Sequence, residues 1–318
     1  MTLRLLLLAA LAALLTVAFG CGQTTTTPPG GDDPDPDPVV LFGDLEFGDD
    51  ATLDVVTWNL HNYPSNGQTS VRYVAAAVRA MDADVIAFQE IAEGPYFDSL
   101  LDSLAADGYA GERARTDRYI NLAYVWKTAT VSGVDLSEPL RDGSVHLRYP
   151  YVMEMTYQGT PLTIIDNHLK CCGDGLLSQT DTEDEEYIRA AACAELDAWI
   201  ETHAPDRGVI LLGDLNDLLL DPAVHNVFQV FLDDPDHYRF ADYDLATADN
   251  QSSWSWKLQS HLDHILVSDE LFPALERDGS EVRTMRLDRL LEGGFNEYLD
   301  NLSDHFPVGV RLVVQPAP

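Results

Sequence analysis

Six stretches of the chain place carboxylate, amide or imidazole side chains at one end of an apolar run, either closing it or opening it. In the clearest of them, VILLGDLND at residues 209–217, four apolar residues and a glycine precede Asp214, Asn216 and Asp217. The other five stretches carry Asn59, Gln89 and Glu90, Asn167 and His168, Asp263 and His264, and Asp304 and His305. A single residue of this kind is more often a turn former or a helix cap than a ligand. Six positions with the same chemistry instead predict a site where several strands end.

The residue types in this set select a chemistry. Oxygen donors with no thiolate and few imidazoles suit a hard cation such as Mg²⁺, Mn²⁺ or Ca²⁺, with zinc as the alternative. Histidines beside carboxylates supply positive charge for a phosphoryl group that becomes more negative, and an acid or base that titrates near neutral pH. The set therefore predicts a metal-assisted reaction at a phosphate ester, by in-line attack of water.

The spacing within GDLND indicates which of its residues face a cleft. Gly213 permits a close backbone turn, and Asp214 and Asn216 are two apart, so that in an extended segment they point the same way. Asp217 then points elsewhere, and we interpret it as a turn residue or a helix cap.

The apolar pattern predicts the elements that position these side chains. Strands are expected at residues 53–60, 84–91, 121–127, 151–157, 161–169, 208–214, 262–268 and 306–314. Helices are expected at residues 70–81 and 182–202, the second with acids in its first turn, where the helix dipole favours them. Many strands with interspersed helices predict one α/β domain with mixed sheets.

The order of the motifs TWNLHN, FQEI, NHL, GDLND, HLDHILVS and SDHFPV resembles the endonuclease/exonuclease/phosphatase superfamily, and the resemblance spans residues 53–314. It implies the DNase I-like fold of that superfamily. This fold is a four-layer α/β/β/α sandwich of two packed mixed β-sheets, with the active site at one edge where the sheets meet.

The resemblance also implies a role for each residue that matches the family motifs. Glu90 would be the main metal ligand, joined by Asn59 and Asp304, and the cation would be Mg²⁺ or Mn²⁺, or else Ca²⁺. Asp214 would deprotonate or align the attacking water, and Asn216 would hold a phosphate oxygen or a second ion.

Histidines and an arginine would contact the phosphate in the same family pattern. His305, oriented by Asp263, would stabilise the charge on the phosphate. His168 would be a second phosphate contact and the proton donor to the leaving oxygen. Arg148 stands where family members often place a phosphate-gripping arginine, although an arginine at a strand start is also typical of a solvated edge.

The amino terminus has the pattern of an exported protein. Arg4 precedes the apolar run of residues 5–17, and small residues lead to Cys21, so that residues 1–20 are predicted to be a signal peptide. We expect Cys21 to be lipid-anchored at the cell envelope or cell surface, with ordinary cleavage and secretion as the alternative. Residues 21–50, rich in Pro, Thr and Asp, are predicted to be a disordered tether, and residues 51–315 the catalytic domain.

The charge of the chain limits its substrates. The sequence holds 53 acids and 19 bases, a formal net charge of −34, and it has no Lys/Arg cluster for a long nucleic acid. We expect a monomer that acts on a small phosphodiester or on short or single-stranded nucleic acid. The alternatives are a lipid head-group phosphodiesterase of sphingomyelinase type and a non-catalytic surface binding module.

Several other residues are open to two interpretations. Cys193 could bridge to Cys171 or Cys172, and these cysteines are interpreted as structural. His61 is either a surface imidazole or a site residue. Trp254 and Trp256 match a family region that frames the site, but their spacing is also typical of a core. The acidic segment 233–249 is interpreted as a loop, since it lacks EF-hand spacing for Ca²⁺.

Overall fold

A computed structural model describes residues 41–115, 120–141, 148–247, 253–254 and 260–315. In chain order its strands are β1 (Leu53–Tyr63), β2 (Val85–Ile91), β3 (Tyr109–Arg113), β4 (Asn121–Lys127), β5 (Val131–Ser137), β6 (Tyr151–Tyr157), β7 (Thr160–His168), β8 (Gly208–Asp214), β9 (Tyr238–Phe240), β10 (Asp263–Ser268), β11 (Glu281–Thr284) and β12 (Val308–Leu312). Its helices are α1 (Gly67–Met81), α2 (Gly94–Leu104), α3 (Glu185–His203), α4 (Gln229–Leu232), α5 (Tyr243–Thr247), α6 (Phe272–Leu275) and α7 (Gly294–Asn301).

These strands form two six-stranded mixed sheets. The first has the order β11-β12-β1-β2-β4-β3 and the second the order β5-β6-β7-β8-β10-β9. In each sheet one central pair is parallel, β1 with β2 and β7 with β8, and the other pairs are antiparallel.

Alternate residues along the central strands face different cores. On β1, Val55 packs in the core between the two sheets, and Val56 packs against α1 and α2. On β8, Ile210 packs in the same central core, and Leu211 packs against α3. Both faces of each sheet are therefore covered, which explains the continuous apolar runs in the sequence. The predicted four-layer α/β/β/α sandwich is confirmed.

The eight strands and two helices expected from the apolar pattern are all present, with ends that differ by a few residues. The pattern missed β3, β5, β9 and β11. β5 is mostly exposed, and β9 has only three residues, too few for an alternating pattern to identify a strand. No helix in the described ranges is long and apolar enough to cross a membrane.

The packed part of the chain begins before residue 51. Phe42 and Phe47, which fall within the predicted tether, are each 1% exposed in the core beneath α1. The backbone there is also bound, since Gly48 N donates to Met81 O at 2.8 Å and Arg311 Nη1 donates to Phe47 O at 3.1 Å. The predicted boundary was therefore wrong: residues 39–47, VVLFGDLEF, are largely apolar, but the run is short and interrupted, and it shows neither a helix nor a strand period. The predicted signal peptide, Cys21 and the rest of the tether up to residue 40 lie outside the described residues.

Replacing Phe47 by alanine is expected to lower the free energy of unfolding by about 3–5 kcal/mol, because it empties a filled core position. Urea unfolding measures the loss. Phe295→Ala is the matched control, since Phe295 is 36% exposed, and its effect is expected to be small. Equal effects of the two substitutions would contradict the placement of residues 41–50 in the core.

The three cysteines within the described residues form no bridge. Cys193 is buried, and Cys171 and Cys172 are both exposed. The bridge considered between Cys193 and one of the pair is therefore not formed.

Candidate active site

The carboxyl ends of the two parallel strand pairs place the predicted residues at one edge of the sandwich. Glu90 lies at the end of β2 and His168 at the end of β7, and His168 pairs in register with Asp214 of β8. Antiparallel β10 begins at the same edge, where Asp263 pairs with Asp214. The edge therefore collects residues that are far apart in the sequence.

Asn59 connects the two sheets at this edge. Its side-chain amide Nδ2 donates to Asp214 Oδ2 at 2.8 Å and lies 3.3 Å from Glu90 Oε1. Asn59 is 1% exposed and Asp214 is 2% exposed. Burial, followed by the charges of Asp263 and Glu90, raises the pKa of Asp214 to about 6 against the opposing effect of His305. An aspartate with a pKa near 6 is a competent base near neutral pH.

The backbone is unusual at the residues that carry these groups. Glu90 has a φ of +62° and Asn216 a φ of +56°, which place both in the left-handed region that residues other than glycine rarely adopt. Asn62 N donates to Glu90 Oε2 at 2.9 Å and so fixes the carboxylate. Backbone of this kind is costly and tends to occur at functional sites.

Gly213 allows β7 and β8 to approach closely beside the site. A Cβ at this position would lie 1.8 Å from Asn167 O. Gly213 also has a φ of +138°. Both observations agree with the predicted requirement for glycine before Asp214.

His305 is held by Asp263 and faces Asp214. Its Nδ1 donates to Asp263 Oδ2 at 2.7 Å, and its Nε2 lies 3.8 Å from Asp214 Oδ2. Burial lowers the pKa of His305, but Asp263 and Asp214 outweigh it and raise that pKa to about 10. The backbone carbonyl of His305 accepts from Trp58 Nε1 at 3.1 Å and from the hydroxyl of Tyr298. The imidazolium is therefore fixed in place by the core below it.

Asp304 lies on the outer side of His305. His61 Nδ1 is 2.9 Å from Asp304 Oδ1, and His305 Nε2 is 4.0 Å from the same oxygen. Burial raises the pKa of Asp304, but the hydrogen bond from His61 and the charge of His305 together lower it below its usual value. Trp254 Nε1 donates to Asp304 Oδ2 at 3.4 Å. Of the residues left open by the sequence, His61 and Trp254 thus both contact Asp304, and Trp256 lies outside the described residues.

His168 is a buried, neutral imidazole. Its Nε2 lies 3.4 Å from Asp214 Oδ2 and 3.8 Å from Glu90 Oε1. Burial, followed by Arg148 and His305, holds the pKa of His168 well below its usual value. A neutral ring can donate a hydrogen bond from Nε2 but carries no charge. The phosphate contact predicted for His168 is compatible with this position, and its role as proton donor stays a prediction.

Arg148 binds the main chain beside His168. Its Nε donates to His168 O at 2.9 Å and its Nη2 to Leu169 O at 2.8 Å. The sequence did not predict this anchoring of the segment that carries His168. The phosphate contact expected of Arg148 stays a prediction.

The predicted role of Asp217 as a turn residue or helix cap was incomplete. Its carboxylate accepts from Leu218 N at 2.8 Å, as a turn residue would, but it is also paired with Arg189 Nε at 2.8 Å in the interior. Asn216, in contrast, lies at the site: its backbone N donates to Asp214 Oδ1 at 3.1 Å and its side chain to Leu169 O at 3.3 Å.

The donor set fits a hard divalent cation. Within the described part of the chain, the ion-pair partners of Glu90 and Asp214 are histidines alone, with no lysine or arginine. Glu90 and Asp304 would hold the cation, because carboxylate oxygens suit Mg²⁺, Mn²⁺ or Ca²⁺. Asn59 would join them through Oδ1, which accepts from His61 N at 2.9 Å. Asp214, Asp263 and His305 also lie close enough together to bind an ion. We favour the first set, because every ligand atom in it is an oxygen.

A family model for the endonuclease/exonuclease/phosphatase family matches residues 56–305 of the chain. No curated protein matches the chain in sequence. Three solved structures illustrate the shared fold. TDP2 of D. rerio, complexed with single strand DNA product, is 17% identical with a TM-score of 0.60, over 83% of this chain and 99% of that chain.

The other two structures are equally distant in sequence. The human Nocturnin catalytic domain with bound sulfate anion is 18% identical with a TM-score of 0.56, over 82% of this chain and 94% of that chain. The 3′ phosphatase NExo from Neisseria, bound to product DNA hairpin, is 18% identical with a TM-score of 0.58, over 82% of this chain and 99% of that chain. At these identities the likeness shows the fold alone.

Proposed function

The chain belongs to the endonuclease/exonuclease/phosphatase family, and from that premise we propose that it hydrolyses phosphodiester bonds in small molecules or in short or single-stranded nucleic acids. Membership makes it a metal-dependent phosphoesterase. The single observation that carries the proposal is the contact between the two sheets. Asn59 and Glu90 of the first sheet, with His305 just before β12 of that sheet, meet Asp214 and His168 at the end of the second.

Each residue at this edge has a step that its surroundings support. Asp214 accepts the proton of the attacking water, and Asn59 Nδ2 keeps its carboxylate oriented. His305, charged and held by Asp263, stabilises the negative charge that develops on the phosphoryl oxygens. His168 donates a hydrogen bond to the phosphate from Nε2. When bound by Glu90, Asn59 and Asp304, the cation supplies Lewis-acid polarisation of the phosphate ester.

The choice of a small or single-stranded substrate rests on charge. The chain carries an excess of acids, and four carboxylates, Glu90, Asp214, Asp263 and Asp304, lie at the site itself. A long duplex needs a basic surface that releases counterions, and the sequence contains no cluster of lysines and arginines. TDP2 and NExo, by their descriptions, bind single strand DNA and a DNA hairpin as products, which supports a nucleic-acid fragment as one candidate substrate.

A lipid head group is the second candidate, and one observation favours it. Four apolar side chains are exposed on the two segments that follow His168 and Asp214: Leu176, Leu218, Leu220 and Val224. Exposed apolar side chains beside a site could contact a lipid surface.

We further propose, from the amino-terminal sequence, that the protein is exported and anchored through Cys21.

The test is hydrolysis of bis(p-nitrophenyl) phosphate by the full chain with Mg²⁺, Mn²⁺ or Ca²⁺, each with and without EDTA. We expect turnover with at least one cation and a loss of about 100-fold or more in EDTA that excess cation reverses. Absence of turnover on every phosphoester with every cation would contradict the proposal and favour a binding module.

A panel of substrates then separates the candidates. Single-stranded DNA, RNA, nucleotides, plasmid and sphingomyelin vesicles are compared at equal enzyme concentration. A clear preference for nucleotides or single strands over plasmid is expected. Preference for sphingomyelin vesicles would instead establish the lipid head-group activity.

A further inference from the structure

Six buried ionisable residues form one hydrogen-bonded series behind the catalytic edge of the second sheet. In order, the series consists of Glu186, Arg189, Asp217, His264, Asp242 and His261. All six are at most 6% exposed. The catalytic steps above use none of them.

Arg189 binds two segments that follow catalytic strands. Its Nε donates to Asp217 Oδ2 at 2.8 Å, three residues after Asp214. Its Nη1 donates to Lys170 O at 2.7 Å and Cys172 O at 2.8 Å, just after His168. One guanidinium on α3 therefore fixes the chain that leaves β7 and the chain that leaves β8.

Glu186 completes the surroundings of Arg189. Its Oε1 lies 3.2 Å from Arg189 Nη2 and accepts from Gly175 N at 2.6 Å. A Cβ at Gly173 would lie 2.2 Å from Glu186 Oε1. The segment after His168 thus wraps closely over the Glu186 carboxylate, and a side chain at residue 173 would displace that carboxylate.

His264 holds the other side of Asp217. Its Nε2 donates to Asp217 O at 2.9 Å, and its Nδ1 donates to Asp242 Oδ2 at 2.6 Å. Both partners are acceptors, so both ring nitrogens carry protons and His264 is an imidazolium. Since His264 follows Asp263 on β10, this contact links Asp217 to the strand that orients His305.

Burying so many charged groups is energetically costly, so a gain in stability does not explain why they are present. Each charged group loses its hydration, and well-packed apolar residues often stabilise a protein as much as a buried ion pair does. What the charged groups add is direction, because a guanidinium binds several oxygens in one fixed plane. Asp217 is held by its carboxylate and its carbonyl at once.

We propose that Arg189 and Asp217 are positioning residues for phosphoester hydrolysis, which hold Asp214 and His168 at the separation that the reaction needs. In the structure that separation is 3.4 Å between His168 Nε2 and Asp214 Oδ2. The inference rests on the proposed function of the site. Neither residue touches the substrate, and both act through the segments they bind.

The leading test compares Asp217→Ala with Asp217→Asn in the full chain. Alanine removes the acceptor of Arg189 Nε, and kcat on bis(p-nitrophenyl) phosphate is expected to fall about 30-fold or more, because small misplacements of catalytic groups cost large factors in rate. KM is expected to change by less than about threefold, since bound substrate contacts are kept. Asparagine keeps an acceptor oxygen and is expected to restore kcat to within about fivefold of the wild type.

A second, milder variant keeps the test informative if Asp217→Ala does not fold. Arg189→Lys keeps the positive charge between Glu186 and Asp217, but one ammonium cannot reach the carboxylate and both carbonyls together. We expect it to fold and to lower kcat by about 10-fold or more. Each rate is measured well below the thermal midpoint of the variant concerned.

Arg79→Met is the matched control. Arg79 also binds a carboxylate and a carbonyl, Asp107 Oδ2 and Ser103 O, each at 2.6 Å. It lies at the end of α1 that leads into β2, and so at the opposite end of that strand from Glu90. It is expected to lower the thermal midpoint and leave kcat unchanged.

The outcomes separate this inference from the proposed function. If the wild type turns over and both Asp217→Ala and Arg189→Lys keep kcat within about threefold of it, the positioning role is overturned. A rise in KM at constant kcat would also overturn it, in favour of a role in substrate binding. A wild type without any activity removes the proposed function, and the positioning role falls with it.

Discussion

Asp214→Asn is expected to lower kcat on bis(p-nitrophenyl) phosphate by about 10²–10⁴-fold, the range for loss of a general base. The carboxylate is 2% exposed and contacts Asn59, His168 and His305 through one oxygen, Oδ2. The amide is nearly the same size and cannot take the proton of water. The loss is therefore expected in kcat, with little change in KM.

The same substitution is expected to leave the thermal midpoint in EDTA unchanged or higher. Burial raises the pKa of Asp214, which means that its charge is unfavourable in the folded protein, and a neutral amide avoids that cost. Loss of activity without loss of stability distinguishes a catalytic carboxylate from a structural one.

Asp84→Asn is the matched control for this prediction. Asp84 is also buried, at 3% exposure, but it precedes β2 and so lies at the opposite end of that strand from Glu90. Its kcat is expected to match the wild type. Similar losses in the two variants, or full activity of Asp214→Asn, would contradict the role of Asp214.

His305→Ala is expected to lower kcat by about 10²–10³-fold, because it removes a fixed positive charge from the place where phosphoryl charge develops. The backbone contacts of His305 with Trp58 and Tyr298 use its carbonyl and survive the substitution. The variant is expected to fold, and circular dichroism checks this beside the steady-state rates.

Substitution of Asp263, alone and together with His305, tests whether the two residues act as a pair. Asp263→Asn is expected to give a smaller loss than His305→Ala. The double variant is expected to be no worse than His305→Ala alone, since Asp263 acts through His305. Additive losses would show that Asp263 contributes independently and would contradict the pairing.

His237→Ala is the matched control for the histidine. His237 Nδ1 is paired with Asp234 at 2.8 Å, as His305 is paired with Asp263, but both members of that pair are exposed at the surface. Its removal is expected to leave kcat unchanged.

The sequence predicted the central strands and the edge that carries the candidate site because both depend on strong local patterns. Continuous apolar runs identify strands that are covered on both faces, as β8 is. Asp214 and Glu90 follow such runs directly, so their place at a strand end needs no knowledge of the sheet order. The family resemblance then supplied the roles that composition alone leaves open.

Contacts between distant segments were beyond the reach of the same patterns. Arg189 reads as one polar residue on an amphipathic helix, yet it is 2% exposed and binds Asp217 in the interior. Phe47 ends a short, interrupted apolar run without a regular period, and only the packed structure shows it in the core. The acidic segment 233–249 was interpreted as a loop, but it contains β9 and α5, and Asp242 between them is buried and pairs with two histidines.

The left-handed backbone of Glu90 limits how this enzyme can be made more heat-resistant. Glycine relieves such a conformation at little steric cost, so a purely conformational search for stabilising substitutions would select position 90 early. That change would delete the carboxylate on which cation binding is proposed to depend. Stabilising substitutions must therefore be sought at other positions, because at residue 90 stability and activity have opposite requirements.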